Sequence, residues 1–356
     1  MKEIFPLVAC FRGVRIFHEG YHLLLDPQRR TFEKDVNLVL VSHAHSDHSS
    51  GVFSASIKTP VVLNEATKKL IETVSSRKIK NYKTLRESES LVLNDDLILE
   101  ACRAGHILGS LQYRIDFKDG SVAYTGDINF YKTILQPGCS IIRDVDVLII
   151  ESTYGHPNFV FPPREEVYME ALDWIEEQVA KGFLVILGGY ELGKGQELTA
   201  LVTRGLNEKP YVSAKIFRFN RIYEEHGVTL GEYRQFYTGM DLKNVNIIIS
   251  SHFSINNLRR KIGKRRKIKA AVFTGLVADK KYIHLFTTKY GCDACFPLSS
   301  HSDFKGLIEY ISCVQPKTVY TVHGRHKQFA KAIKKELGLE AKPLENIKID
   351  KHRILK

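Results

Sequence analysis

The chain has 356 residues, enough to bury one large core or two. With 44% hydrophobic and 26% charged residues it reads as an ordinary globular protein, and no apolar run reaches the roughly 20 residues of a membrane span. Lys and Arg exceed Asp and Glu by 12, a field that favours polyanions, nucleic acid first, or simply a well-solvated surface. The opening MKEIFPLVACFRG lacks the apolar core and cleavage site of a signal peptide. The six cysteines (10, 102, 139, 292, 295 and 313) are expected as free thiols of a reducing cytoplasm. Cys292 and Cys295 form a lone CxxC, which without a second pair is weak evidence for metal or redox work.

In chain order, the first part reads as short strands joined by tight turns. Apolar or alternating runs cover Tyr21 to Leu25, Asn37 to Val41, Pro60 to Leu63, Leu97 to Cys102, Leu111 to Phe117, Ser121 to Thr125 and Val145 to Ile150. A helix is expected over Glu65 to Ser75. After Ile150 the texture changes: Pro162-Pro163 opens an amphipathic helix from about Arg164 to Lys181, and Gly182 stops it. Phe183 to Leu187 is a fully apolar strand. Helices near 194–206, 217–226 and 255–262 then alternate with strands near 245–249 and 268–273, an α/β unit with a parallel sheet. The end returns to helix, strand and helix near 303–314, 317–322 and 325–337. The chain reads as one domain, 1–157 and 298–356, interrupted by another, 158–297.

His43-Ala44-His45-Ser46-Asp47-His48 follows the apolar run Leu38 to Val41, so four metal-capable side chains stand where a buried strand runs into a loop. His43 and His45 can converge on one ion, and Asp47 and His48 can serve a second. Imidazoles with a carboxylate suit zinc, or manganese in a more oxygen-rich site. Three of the chain's 14 histidines fall in these six residues, which makes chance a poor explanation. His106 in Gly105-His106-Ile107-Leu108-Gly109, Asp127 in Thr125-Gly126-Asp127 and His323 in Thr321-Val322-His323-Gly324 also stand at strand ends beside glycines. Singly, His106 or His323 would read as a structural histidine. Together they complete a dinuclear set, in which two ions and the water between them would attack and clamp a phosphate. Glu151 ends another apolar strand, and His301 precedes a helix that Asp303 could cap. A carboxylate beside a histidine can hold it protonated for a leaving alkoxide.

These residues resemble the β-CASP branch of metallo-β-lactamase-fold nucleases over nearly the full chain. His43 to His48 is similar to the family's metal signature, and Asp26 in Leu25-Asp26-Pro27 to the aspartate that supports the metal loop. His106 and Asp127 fall where the third histidine and bridging aspartate are expected. Glu151, His301 and His323 look like the three further motifs of that branch. The resemblance implies a metallo-β-lactamase αβ/βα sandwich with an inserted α/β β-CASP domain. It implies two divalent ions, zinc or manganese: His43, His45, His106 and Asp127 on one, Asp47, His48, Asp127 and His323 on the other. Asp47, Glu151 and His301 are the catalytic candidates, with His301, oriented by Glu151, protonating the leaving oxygen.

Glu151 with His323 is the pattern of the RNA-processing members. The segments Thr153-Tyr154-Gly155-His156-Pro157, Phe161-Pro162-Pro163 and Gly189 to Gln196 resemble compact exonucleases encoded beside bacterial DNA ligases. RNA processing and DNA repair therefore both stay open, as do endo- and exonuclease action. Ser49-Ser50-Gly51 departs from the family's usual glycine pair, although Gly51 remains. Arg259 to Lys269 holds eight basic residues in eleven, a solvated face in most proteins. On a nuclease Lys264, Arg265, Arg266 and Lys267 are expected on phosphates, as is Lys194 at the start of its helix. The expected partner is RNA or single-stranded DNA, with a homodimer or a processing or repair complex open, and the expected setting is cytoplasmic, away from membranes. A small-molecule hydrolase of the same fold would explain the metals but not the three further motifs. An inactive scaffold subunit would be expected to have lost metal ligands.

Overall fold

The computed structural model describes residues 5–28, 35–54, 59–94 and 96–345. The described residues divide into two compact units: those within 5–130, 138–156 and 306–345 form the first, and 131–137 with 157–305 the second.

The first unit opens with six strands: Leu7–Cys10 (β1), Val14–His18 (β2), Tyr21–Leu25 (β3), Leu38–Leu40 (β4), Val61–Leu63 (β5) and Tyr82–Thr84 (β6). They lie side by side in chain order, antiparallel through β3 and parallel from there to β6. Helices Ser46–Ser49 (α1) and Glu65–Ser75 (α2) follow β4 and β5. Asn64 caps α2 by accepting from the Ala66 N–H, satisfying one of its orphan donors. The second sheet begins with Ser90–Asn94 (β7), Leu97–Arg103 (β8), Leu111–Phe117 (β9), Gly120–Tyr124 (β10) and Val147–Glu151 (β11).

The chain then enters the second unit. Its elements are Arg164–Ala180 (α3), Leu184–Gly189 (β12), Lys194–Gly205 (α4), Tyr211–Val212 (β13), Ala214–Glu225 (α5), Arg234–Gln235 (β14), Ile247–Ser251 (β15), Ile255–Ile262 (α6), Ile268–Phe273 (β16), Lys280–Lys289 (α7) and Ala294–Phe296 (β17). Phe304–Val314 (α8) leads back to Thr318–Val322 (β18), His326–Leu337 (α9) and Glu340–Pro343 (β19), which complete the second sheet in the order β19-β18-β11-β10-β9-β8-β7. Its β10, β11, β18 and β19 are parallel.

An apolar core lies between the two sheets of the first unit. Ile16, Leu23, Leu25 and Leu40 from the first sheet meet Leu99, Tyr113, Ile115, Tyr124 and Ile149 from the second, the arrangement of a two-sheet sandwich. The second unit is a parallel sheet in the order β14-β13-β15-β12-β16-β17. Central β12 alternates: Val185 and Leu187 pack with residues of α3, α4 and α5, while Leu184 and Ile186 pack with residues of α6 and α7. Burial on both faces is why that strand reads as an unbroken apolar run. Trp174 packs edge-on against Phe296, 6.1 Å between ring centroids.

Among the described residues, no helix is long and apolar enough to cross a membrane. All six cysteines are unbridged, and burial pushes the thiols of Cys292 and Cys295 up to about 12 and about 11. Neither is a reactive thiolate at neutral pH.

Candidate metal centre

The ligand candidates leave the same edge of the first unit because its parallel strands end in register. Tyr124 pairs with Ile149 and Glu151 with Val322, so the loops carrying Asp127, Glu151 and His323 start side by side. The His43 loop follows β4 and the His106 loop joins β8 to β9. Gly126 lets these parts close up. Its φ is +53°, and a Cβ there would lie 2.4 Å from the Ser42 Cβ. Only glycine permits both.

His43, His45, His106 and Asp127 each offer a ligand atom within 4.8 Å of the others. His43 Nε2 and His45 Nδ1 are 3.1 Å apart, as are His45 Nδ1 and His106 Nε2. Asp127 Oδ2 lies 3.4 Å from His43 Nε2 and 3.8 Å from His106 Nε2. A tetrahedral ion with bonds of about 2.0–2.1 Å spaces its ligand atoms roughly 3.3 Å apart, so this donor set fits one. On the other side of Asp127, His48 Nε2 is 3.4 Å from Asp127 Oδ2 and 3.6 Å from Asp47 Oδ2. The His48 and His323 rings are 4.8 Å apart. His323 Nε2 is buried with no hydrogen-bond partner, an orphan that a cation would satisfy.

A second layer orients these ligands. Asp26 accepts from the Ser42 N–H and hydroxyl, both at 2.6 Å, and from the Tyr124 hydroxyl at 2.7 Å. It also takes His48 Nδ1–H at 2.8 Å, which turns Nε2 toward Asp127. Glu151 is fully buried, and its carboxylate accepts from the Ile128 N–H at 2.8 Å and the Thr153 N–H at 3.3 Å. Burial works against a charged His48, but Asp127, Asp26 and Asp47 outweigh it and carry its pKa up to about 10. Burial, then the neighbouring His48, push His323 down to about 4. Three carboxylates, of Asp26, Asp47 and Asp127, thus converge on His48, and the imidazole of His323 beside it is held neutral.

Seven expected ligands therefore come together: His43, His45, Asp47, His48, His106, Asp127 and His323. His301 belongs to the second unit. The expected Lys194 phosphate contact is corrected: Lys194 is only 4% exposed, and its ammonium is spent on Glu197 inside α4. Glu197 also accepts from Arg164 (2.6 Å) and Tyr168, a buried network with no motif to announce it. Two side chains of the basic run are partly engaged within the unit. Arg265 donates to the Met240 carbonyl at 3.2 Å, and Arg266 to the Leu242 carbonyl at 2.8 Å, so both hold the 240–243 loop. The run precedes β16 and lies at the amino-terminal edge of the parallel sheet, whereas His301 follows the carboxyl end of β17. The six residues of β16 separate these edges by roughly 17 Å at about 3.3 Å per residue.

Comparison with known proteins agrees with this geometry. Residues 7–180 match the beta-lactamase superfamily domain, and residues 296–344 the Zn-dependent metallo-hydrolase RNA specificity domain. A probable DNA ligase of Opitutus terrae is 31% identical over 88% of this chain, which spans 28% of the ligase's length. A probable RNase MJ4 of Methanocaldococcus jannaschii is 26% identical over 90% of this chain and 88% of its own. A crystal structure of a protein of unknown function from Enterococcus faecalis V583 shares the fold at a TM-score of 0.64 and 12% identity, over 95% of this chain and 97% of that one. The two domain matches, the candidate ligands at strand ends and the sandwich beneath them place the chain in the β-CASP branch of the metallo-β-lactamase superfamily.

Proposed function

We propose that the chain is a metal-dependent nuclease hydrolysing phosphodiester bonds of RNA or single-stranded DNA. The observation that carries this reading is the convergence of His43, His45, His106 and Asp127, with His48 and the orphaned Nε2 of His323 on the far side of Asp127. In this reading the first four hold one divalent ion, and Asp47, His48, Asp127 and His323 hold a second, zinc or manganese. Bound there, the ions supply Lewis-acid polarisation of the phosphate and a water of lowered pKa.

The chain's own residues do the rest. Asp26 fixes the His48 tautomer through Nδ1, and Tyr124 and Ser42 fix Asp26. His301 gives the leaving oxygen its proton and Glu151 orients it; the support for this pair is the motif pattern. The second unit corresponds to the inserted β-CASP domain. The full-length likeness to a named RNase and the Glu151–His323 pattern favour RNA, while the partial likeness to a named DNA ligase keeps single-stranded DNA in the test.

End-labelled RNA and single-stranded DNA of one sequence, incubated with zinc- or manganese-loaded protein, should yield shortened products with at least one of them. Elemental analysis should find about two ions per chain in wild type, and Asp127→Ala should disturb both sites while abolishing cleavage. Binding of at most one ion by supplemented wild type would sink the dinuclear assignment. Intact oligonucleotides of both kinds would sink the nuclease reading.

A further inference from the structure

The exposed aromatic side chains of residues 157–305 are Tyr190, Tyr237 and Phe253, at 56%, 62% and 63% exposure. Each stands just past the carboxyl end of a strand: Tyr190 after β12, Tyr237 after β14 and Phe253 after β15. The strands of this sheet are parallel, so all three leave it by one edge. His301 follows β17 at that same edge. Singly, exposed apolar residues need no explanation, but three aromatic rings gathered at one sheet edge do.

Two of the rings are mounted on a rigid base. Gly189 pairs with Ser251, so β12 and β15 end level, and Tyr190 and His252 start side by side. Gly188 keeps this corner closed: a Cβ there would lie 2.6 Å from Ile255 Cδ1 and 3.0 Å from the His252 Cα. His252 is buried, with its ring 5.8 Å from Phe286 and 5.7 Å from Tyr290. That burial lowers its pKa, so the imidazole is uncharged at neutral pH. Tyr190 meets it edge-on at 5.3 Å, and Phe253 lies against it at 3.9 Å. The charges nearby are basic or cancelled. Lys289 is exposed, 5.7 Å from the Tyr290 ring, and pairs with no carboxylate among the described residues. Glu191, next to Tyr190, is paired with Lys215 at 2.7 Å.

We infer that Tyr190, Tyr237 and Phe253 form a stacking platform for bases of the single strand that the proposed nuclease cuts, with Lys289 on an adjoining phosphate. The inference takes its occupant from that reading, and three features of the edge agree with it. Flat rings with open faces accept any base, which suits a substrate gripped without regard to sequence. The carboxyl edge of a parallel sheet is where open α/β units place their ligands. A docked protein would ask for a continuous apolar patch, whereas Phe253 is followed by exposed Asn256 and Asn257 and lies near Lys289. The sheet order β14-β13-β15-β12-β16-β17 then sets the sequence along the edge as Tyr237, Phe253, Tyr190 and His301. From β14 to β17, at about 4.8 Å between neighbours, the edge runs roughly 24 Å, room for several nucleotides.

Fluorescence anisotropy of metal-free protein with labelled oligo(dT), oligo(U) and an abasic oligomer of equal length tests the platform without catalysis. Wild type should hold the base-bearing oligomers more tightly than the abasic one. Tyr190→Ala, Tyr237→Ala and Phe253→Ala should each weaken that binding by about fivefold or more, the lower end for one stacked base. Binding of the abasic oligomer should stay as it is, and Phe253→Trp should keep the preference for bases. Equal binding of the abasic oligomer by wild type would reduce the surface to phosphate contacts and overturn the inference. So would alanine variants that bind like wild type, or whose only change is a shift in oligomeric state on sedimentation, the mark of a self-association face. Cleavage assays keep the two readings apart. Base-dependent binding that the variants lose, without cleavage of any oligonucleotide by metal-loaded wild type, would defeat the nuclease reading and leave the platform standing. Cleavage by wild type and all three alanine variants with one KM would defeat the platform alone.

Discussion

His323 sits at φ +59°, in left-handed backbone that a non-glycine residue adopts only when its surroundings impose it. Gly324 follows at φ +44°, and a Cβ there would lie 2.5 Å from the Ser152 carbonyl oxygen. The Ser152 hydroxyl also donates to the Val322 and His323 carbonyls, at 2.7 and 2.9 Å. This corner is braced against the end of β11, which holds the imidazole where its orphaned Nε2 can meet a cation. The histidine at the other candidate position makes a contrast. His323→Ala should lower both metal content and rate, with the second ion lost first. His301→Ala should keep its metal while cleavage falls on the order of a hundred- to ten-thousandfold, the usual worth of a general acid. Metal analysis beside single-turnover rates reads both; metal loss in His301→Ala would show a ligand mistaken for a proton donor.

At the scale of elements, sequence reading succeeded where burial is one-sided or complete and failed where it is slight. The helices at Glu65–Ser75 and Ile255–Ile262 and the strand at Ile268–Phe273 match their patterns because each buries a regular apolar face. Lys280–Lys289 was invisible since Phe286 is its one buried residue, which leaves no periodicity to see. The candidate site was legible because histidines and aspartates recur after apolar strands, and Asp26 does bond to Ser42 and His48 at the two ends of the His43–His48 loop. The Lys194–Glu197–Arg164–Tyr168 network was not legible, because nothing local distinguishes a buried Lys–Glu pair at i,i+3 from a surface one. That network makes α4 sensitive to charge. Burial brings Lys194 down to about 8, while Glu197 is held below its usual value: burial opposes its charge, but Lys194 and Arg164 outweigh it. Its folded value lies below the unfolded value of about 4.3, so its stabilisation is present above that pH and lost as pH falls through the folded value. Glu197→Gln should cost about 3–5 kcal/mol in urea unfolding at neutral pH, since two buried cations lose their counter-charge. It should also remove this part of the acid sensitivity; an unchanged midpoint would mean that the network relaxes freely.

Over the whole molecule, the excess of 12 positive charges gives a long-range pull on nucleic acid that needs no particular patch. Because the basic run lies at the sheet edge opposite the one that leads to His301, Lys264→Ser with Lys267→Ser should leave cleavage of a very short substrate unchanged. Only on long single strands should the slope of log affinity against log salt fall, by roughly 0.7 per lost contact. Equal effects on short and long substrates, read across a salt titration, would place the run beside the chemistry after all. Chain order has a further consequence. The first cluster of candidate ligands is complete at Asp127, yet His323 directly follows a strand, β18, that pairs with β11 only after the entire second unit has been made. At about 5–20 residues per second, a ribosome takes roughly 10–40 s to travel that stretch. For that time a nascent chain therefore carries the His43, His45, His106 and Asp127 cluster without His323 and its braced corner, so the two halves of the candidate centre are separated in time as well as in sequence.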